Sequence, residues 1–186
     1  MAAKPDLRFD ALSNAEGGGS VIPMPPVVNH GEVYRRYSDM VYRLALARCR
    51  NVSDAEDVLQ DVFVRYVRAN PSFDSAAHQK AGLIRATINC SNTLLTSAWR
   101  RHTTALEGAA LNIADGDEPD ASAEIYSAVL RLPANLRTVI HLYYYEGYRV
   151  TEIAELTGAK VSTVKSRLLR ARERLEKDLK GDLFDV

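Results

Sequence analysis

Apolar residues recur every three or four positions along most of this chain, and no stretch shows the strict alternation of a half-buried strand. That pattern predicts an all-α protein. In "HGEVYRRYSDMVYRLALARCRN", Val33, Tyr37, Val41, Leu44 and Arg48 fall near one helical stripe. "NVSDAEDVLQDVFVRYVRAN" then predicts a helix whose Ser53 and Glu56 have the spacing of a capping box. Its inward face is Ala55, Leu59, Val62, Phe63 and Tyr66, and its opposite face is Asp57, Gln60, Asp61 and Val64. A third helix is expected in "KAGLIRATINCSNTLLTSAWRRH". There Leu83, Ile84, Ile88, Leu94, Leu95 and Trp99 face inward, with Arg85, Asn89, Asn92, Thr93 and Thr96 outward. Gly82 within it costs about 1 kcal/mol relative to Ala.

The second half breaks at "RLPAN", "YEGYR" and "LTGAK", which divides it into four short helices. Val129, Leu132, Leu136, Val139, Ile140 and Leu142 supply the apolar faces of the first two, and Gly147 is the expected left-handed cap after the second. "VTEIAEL", the turn "TGAK" and the longer helix "VSTVKSRLLRARERL" have the order of a helix-turn-helix. Val164, Leu168, Ala171 and Leu175 lie on one seam of that last helix, where Ile153, Ala154 and Leu156 can meet them.

The organisation read from these elements is two small helical domains joined by a flexible acidic linker. A flexible leader occupies 1–30, helical domains 31–102 and 126–180, the linker 103–125, and a short tail 181–186. The formal charge of zero hides alternating blocks. Residues 34–102 carry 11 basic and 6 acidic side chains, 103–125 carry 6 acidic and none basic, and 126–186 carry 11 and 8. Such asymmetry concerns partners more than fold.

Composition excludes several classes. No apolar run approaches the length of a membrane span, so no membrane insertion is expected. The first residues lack the apolar core of a signal peptide, which makes cytoplasmic residence the expectation. Cys49 and Cys90 are too few for a disulfide framework and lack metal-ligand spacing. His30, His78, His102 and His141 are scattered, and no phosphate-binding glycine loop or convergent carboxylate set appears. The chain is therefore read as no enzyme, with no cofactor and no metal.

Binding chemistry is better represented. Ser162, Thr163, Lys165, Ser166, Arg167 and Arg170 stand off the seam in the first turns of the last helix. Those are the turns that enter the major groove in helix-turn-helix docking, where hydroxyls and cations reach base edges and phosphates. A solvated basic face is the competing account, and the adjoining turn favours DNA. For Asp57, Gln60 and Asp61, simple favour for acid near a helix N-terminus accounts for the pattern as well as a partner face does. Trp99 fits a core first, although beside Arg100 and Arg101 it also suits stacking on unpaired bases.

In order, "YRRYSDMVYRLAL", "DAEDVLQDVF", "LIRATIN…AWRR", "LPANLRTVIHLYYYEGY", "TEIAEL" and "STVKSRLLRARERL" resemble the extracytoplasmic-function (ECF, group IV) sigma factors of bacterial RNA polymerase, over about residues 32–179. The resemblance implies a sigma region 2 helical bundle that reads and helps open the −10 element. It also implies a sigma region 4 helix-turn-helix that binds the −35 element. It places Asp57, Gln60 and Asp61 on the β′ clamp helices of core RNA polymerase. Asn89 falls at a pocket for a flipped −10 base, with Arg85, Trp99, Arg100 and Arg101 nearby on the same DNA. It puts Ser162, Thr163, Lys165, Ser166, Arg167 and Arg170 on −35 DNA, region 4 on the β flap, and an anti-sigma factor among the possible partners. The acidic linker would suit the basic walls of polymerase channels, or serve only as a tether.

Departures from the family pattern are specific. Gly82 stands where Trp is usual, and Asn92, Thr93 and Thr96 stand where Lys, Asp and Arg are common. Arg149 and Lys160 occupy positions where a Ser N-cap is common. These changes keep open a second function, a sigma-like polymerase-binding adaptor or regulator with weak promoter-melting ability. A lone helix-turn-helix repressor leaves the first helical domain unexplained.

Overall fold

The computed structural model describes residues 29–101 and 121–181, and every regular element among them is helical. Three long helices come first: α1 His30–Cys49, α2 Val52–Ala69 and α3 Ala76–Arg101. The second group is α4 Ala121–Arg131, α5 Ala134–Ile140, α6 Val150–Thr157 and α7 Val161–Gly181. α4 begins inside the stretch 103–125 that the sequence assigned to the linker. No helix among the described residues is long and apolar enough to cross a membrane.

Local chemistry sets the boundaries. Asn29 caps α1 by accepting a hydrogen bond from the Glu32 N–H at 3.2 Å. α1 ends where Arg50 enters the left-handed region (φ 61°), donating its N–H to the Leu46 carbonyl. α2 then starts two residues earlier than a Ser53 cap requires. Asn51, extended at φ −144°, is the N-cap, and its side chain accepts from the Asp54 N–H at 3.0 Å. The expected Ser53–Glu56 capping box is thus corrected: Ser53 lies within the first turn, where its own backbone is helical and cannot serve as a cap. Replacing Asn51 with Ala is expected to cost about 1 kcal/mol in urea denaturation. Ser53→Ala should stay within about 0.5 kcal/mol, and the reverse order would restore the original box.

The first core fills the space between α1, α2 and α3 with Val33, Tyr37, Val41, Ala45, Ala55, Val58, Val62, Phe63, Tyr66 and Leu83. Leu59 and Leu94 are only partly buried at its edge. Thr87 and Ser91, both fully buried, donate to the Leu83 and Thr87 carbonyls one turn back, so their hydroxyls need no partner outside α3.

The second core contains residues from both helical groups. Leu44, Ile84 and Ile88 of α1 and α3 pack with Leu132, Leu136, Val139, Ile153, Val164 and Leu168. Pro133 starts α5 at a point where its missing N–H costs nothing. α5 runs on through a widened π turn, His141–Tyr145, in which the Glu146 N–H donates to the His141 carbonyl. Gly147 (φ 71°) ends it in the left-handed conformation expected. The turn between α6 and α7 uses Gly158 (φ 65°), and the Ala159 N–H returns to the Ala154 carbonyl at 3.0 Å. Val164, Leu168 and Ala171 of the expected α7 seam are buried, with Leu175 partly so.

Candidate nucleic-acid and polymerase interfaces

The helix-turn-helix presents the expected face. Ser162, Lys165, Ser166 and Arg170 are exposed, while Thr163 and Arg167 are half-buried beside the seam. The Ser166 hydroxyl donates to the Ser162 carbonyl at 3.0 Å, a bond it can exchange for an external acceptor. Neither Arg149 nor Lys160 has a side-chain acceptor with which to cap the following helix. The Arg149 N–H instead donates to the Glu152 carboxylate at 2.7 Å, and the Val164 N–H donates to the Lys160 carbonyl at 3.1 Å. Arg172 turns away from the first turns of α7. Its Nε donates to the Tyr144 hydroxyl at 2.9 Å, and its guanidinium lies 5.8 Å from the Tyr143 and Tyr144 ring centres. The π turn leaves Tyr144 and Tyr145 exposed.

On α2, Asp57, Gln60 and Asp61 are all exposed, and Asp61 pairs with Arg65 at 3.0 Å one turn on. Next to this acidic strip lies an open groove lined by Tyr34, Leu59, Phe63, Val64 and Val67, rimmed by Gln60 and Arg68. Tyr34 packs edge-on to Phe63 with ring centres 4.8 Å apart, and Val67 is 49 % exposed. The α2 face therefore offers apolar area beside its acids, which the sequence indicated only through Val64.

On α3, Arg85 and Asn89 are exposed one turn apart, followed by Asn92, Thr93 and Thr96. The Thr93 hydroxyl donates to the Asn89 carbonyl at 3.1 Å, leaving the Asn89 side chain unused by it. Asn92 is engaged, because its side-chain oxygen accepts from Arg48 at 2.6 Å. Trp99, Arg100 and Arg101 belong to the last turn of α3, and their side chains lie outside the described residues.

Two buried arginines were not legible as a site. Arg48 donates to the Thr138 hydroxyl and to Asn92. Arg137 donates to the carbonyls of Ala47, Arg48, Leu130 and Leu132. Burial lowers both guanidinium pKa values to about 10. Nearby, Lys80 meets Glu146 at 2.7 Å and lies 5.4 Å from the Tyr148 ring centre. Burial disfavours the Lys80 charge, but the Glu146 carboxylate outweighs it and the pKa is raised. Burial also lowers the His141 pKa from near 6.5 against the pull of Glu146, so their 3.7 Å approach is no ion pair at neutral pH. Cys49 and Cys90 are free, with thiol pKa values raised by burial. No cluster of three or more metal-ligating side chains occurs among the described residues.

A three-helix body with an exposed acidic and apolar face stands with a helix-turn-helix whose second helix exposes cations and hydroxyls, the make-up of a helical DNA-binding protein. Residues 33–101 match the Sigma-70 region 2 family and 122–175 match Sigma-70, region 4. The chain is 31% identical over 145 residues to the ECF RNA polymerase sigma factor SigM of Mycobacterium tuberculosis, covering 77% of this chain and 74% of that protein. To the ECF RNA polymerase sigma factor SigW of Bacillus subtilis it is 31% identical over 159 residues, covering 77% and 85%. In fold it is similar to the sigma factor RpoE in its complex with the anti-sigma factor NepR from Bartonella quintana. That match has a TM-score of 0.70 at 24% identity and covers 86% of this chain and 100% of that one. The chain belongs to the ECF family of RNA polymerase sigma factors. As a sigma factor it gives RNA polymerase its promoter specificity at initiation.

Proposed function

We propose a division of that task among the faces just described. Asp57, Gln60 and Asp61, with the apolar groove beside them, dock on the β′ clamp helices of core polymerase. Arg85 and Asn89 of α3 meet the −10 element, where Asn89 receives an unstacked base, and Trp99, Arg100 and Arg101 continue that surface. Ser162, Thr163, Lys165, Ser166, Arg167 and Arg170 hold the −35 element, and region 4 meets the β flap. The domain limits implied are 30–101 and 121–181, since α1 starts at His30 and α4 at Ala121, with the stretch between them as linker. The protein acts in the cytoplasm on promoter DNA and needs neither cofactor nor metal. An anti-sigma factor is a further partner, by analogy with RpoE in its complex with NepR.

The observation that carries this reading is the pairing of two chemistries on one chain: an exposed acidic and apolar face on α2, and an exposed cationic and hydroxyl face on α7. One observation favours the adaptor alternative: Asn92, where a charged residue is common, is turned back onto Arg48. Run-off transcription with core polymerase and a randomised promoter library separates the two. Promoter-selective transcripts are expected, and polymerase binding without them would establish the adaptor.

A further inference from the structure

We propose that the apolar groove on α2 is the docking site of this chain's own proline-rich segment, residues 21–28, which lies outside the described residues and leads into α1. The docking rests on the groove and the segment. Its consequence, competition with core polymerase for α2, rests on the division of faces proposed above.

The groove opens between the first turns of α1 and the later turns of α2. His30 meets Tyr66 with ring centres 5.8 Å apart, and Tyr34 meets Phe63 at 4.8 Å. Advance along α1 is retreat along α2, so the two helices are antiparallel and the start of α1 stands beside the end of α2. The groove has a volume of about 430 Å³, within the roughly 300–1,000 Å³ of ligand pockets. Leu59, Phe63, Val64 and Val67 line it along α2, and Tyr34 closes it from α1. Tyr34, Val64 and Val67 are exposed, and none of them belongs to the core of α1, α2 and α3.

The segment reads "VIPMPPVV", Val21 to Val28, with no polar side chain in it. Such a run gains by leaving water. Pro23 and Pro26 are three residues apart, one full turn of polyproline II, so their rings share a face of that conformation. Ile22 and Met24 each precede a proline, which biases them to the same extended backbone. Polyproline II segments dock in grooves lined with aromatic rings, because ordering them costs little entropy. Tyr34 and Phe63 supply the rings here. The prolines carry no N–H, so the segment offers more acceptors than donors. The groove rim answers with donors, the Gln60 amide and the Arg68 guanidinium.

The covalent connection places the segment at the groove. Asn29 caps α1 and fixes where the segment ends. Tyr34 lies about 7.5 Å further along the helix. Extended backbone over Val27, Val28 and Asn29 spans about 10 Å, enough to turn back and set Pro26 against Tyr34. The α2 lining from Glu56 to Arg68 is about 18 Å long, and residues 21–28 as polyproline II cover about 25 Å. His30 Nδ1 at the junction is buried without a hydrogen-bond partner among the described residues. A buried polar atom needs an answering group, and the backbone just before Asn29 can supply it. So short a connection holds the segment at an effective concentration on the order of millimolar, which the same segment of a second copy cannot match in dilute solution.

Occupied, the groove withholds the apolar half of the α2 face and leaves Asp57 and Asp61 in solvent beside it. Core polymerase gains the groove only by displacing the segment.

The test is nuclear magnetic resonance of the free full-length chain together with core-polymerase titration. One variant changes Ile22, Pro23 and Pro26 to Ser, which adds no charge, and another is Val67→Asp, outside both cores. In the wild type the Met24 methyl should show nuclear Overhauser contacts to the Tyr34 and Phe63 rings at any protein concentration. Those contacts should vanish in both variants with unchanged helical circular dichroism. Their absence from the wild type, or their survival in either variant, would overturn the docking. Contacts that fade on dilution would put a second copy in the groove and overturn docking within one chain. The triple variant should bind core polymerase about tenfold more tightly if a tenth of wild-type chains have the groove empty, since apparent affinity scales with the competent fraction. Unchanged or weaker binding would overturn the competition. Contacts that behave as expected while no form of the chain binds polymerase would count against the division of faces and leave the docking standing.

Discussion

Exchanging both Asp57 and Asp61 for Lys should weaken association with core polymerase by at least about 100-fold, equivalent to roughly 2.7 kcal/mol. Both side chains are exposed on α2 beside the groove formed by Tyr34, Phe63, Val64 and Val67. Reversal therefore removes two attractions and introduces two repulsions at the centre of the proposed contact, where like charges cost several kcal/mol. Folding should be little affected. The change breaks the Asp61–Arg65 pair, an exposed contact between neighbouring turns worth about 0.3–0.5 kcal/mol. Position 57 lies beyond the first turn of α2, so Lys there meets little of the positive helix end. Pull-down on immobilised core enzyme measures the first effect, and thermal melting followed by circular dichroism controls for the second. Association that survives in a folded double variant would remove this face from the polymerase contact.

Removing the α7 cations should act on DNA and spare the polymerase. With Lys165, Arg167 and Arg170 all changed to Ala, −35 binding by the holoenzyme should fall by about 100-fold or more, because each contact of this kind is worth roughly 1–3 kcal/mol. Lys165 and Arg170 are exposed and Arg167 is half-buried beside Val164 and Leu168, so the hydrophobic seam remains. The salt dependence separates the roles of the three. Each lost phosphate contact should lower the slope of log affinity against log salt by about 0.9, whereas a lost base contact changes specificity at an unaltered slope. Footprinting and salt titration of the triple variant read both. An unchanged −35 footprint would exclude this face as the reader, and the exposed Tyr144 and Tyr145 side of region 4 would then be the place to look.

The two experiments also separate the functions of the two bodies. The α2 variant should lose polymerase and therefore all transcription. The α7 variant should still bind polymerase and compete with wild-type protein for it. A chain acting only as an adaptor would show the first behaviour and be indifferent to the second.

Much of this is legible in the residue pattern. Helical spacing places Val164, Leu168 and Ala171 on one seam, and the structure buries all three. The same spacing turns Asp57, Gln60, Asp61, Arg85 and Asn89 outward, and they are exposed. Gly147 and Gly158 mark the turns because left-handed backbone there disfavours a Cβ. Residue type misplaces the start of α2, because Asn51 and Ser53 both qualify as caps. Only the extended backbone at Asn51 shows which of them precedes the first turn.

Local periodicity determined the helices, their faces and, through the family motifs, the class of protein. It could not determine that Leu44, Ile84 and Ile88 pack with the second body rather than the first, since all core-facing positions on a helix share the same period. Nor could it determine the role of Arg137, which in sequence is a cation within an apolar run. That role required the C-terminal ends of α1 and α4 to meet in space, and their carbonyls come from residues up to 90 positions away. Period is a property of neighbours along the chain. The satisfaction of a buried charge belongs to whichever groups the tertiary fold brings to it.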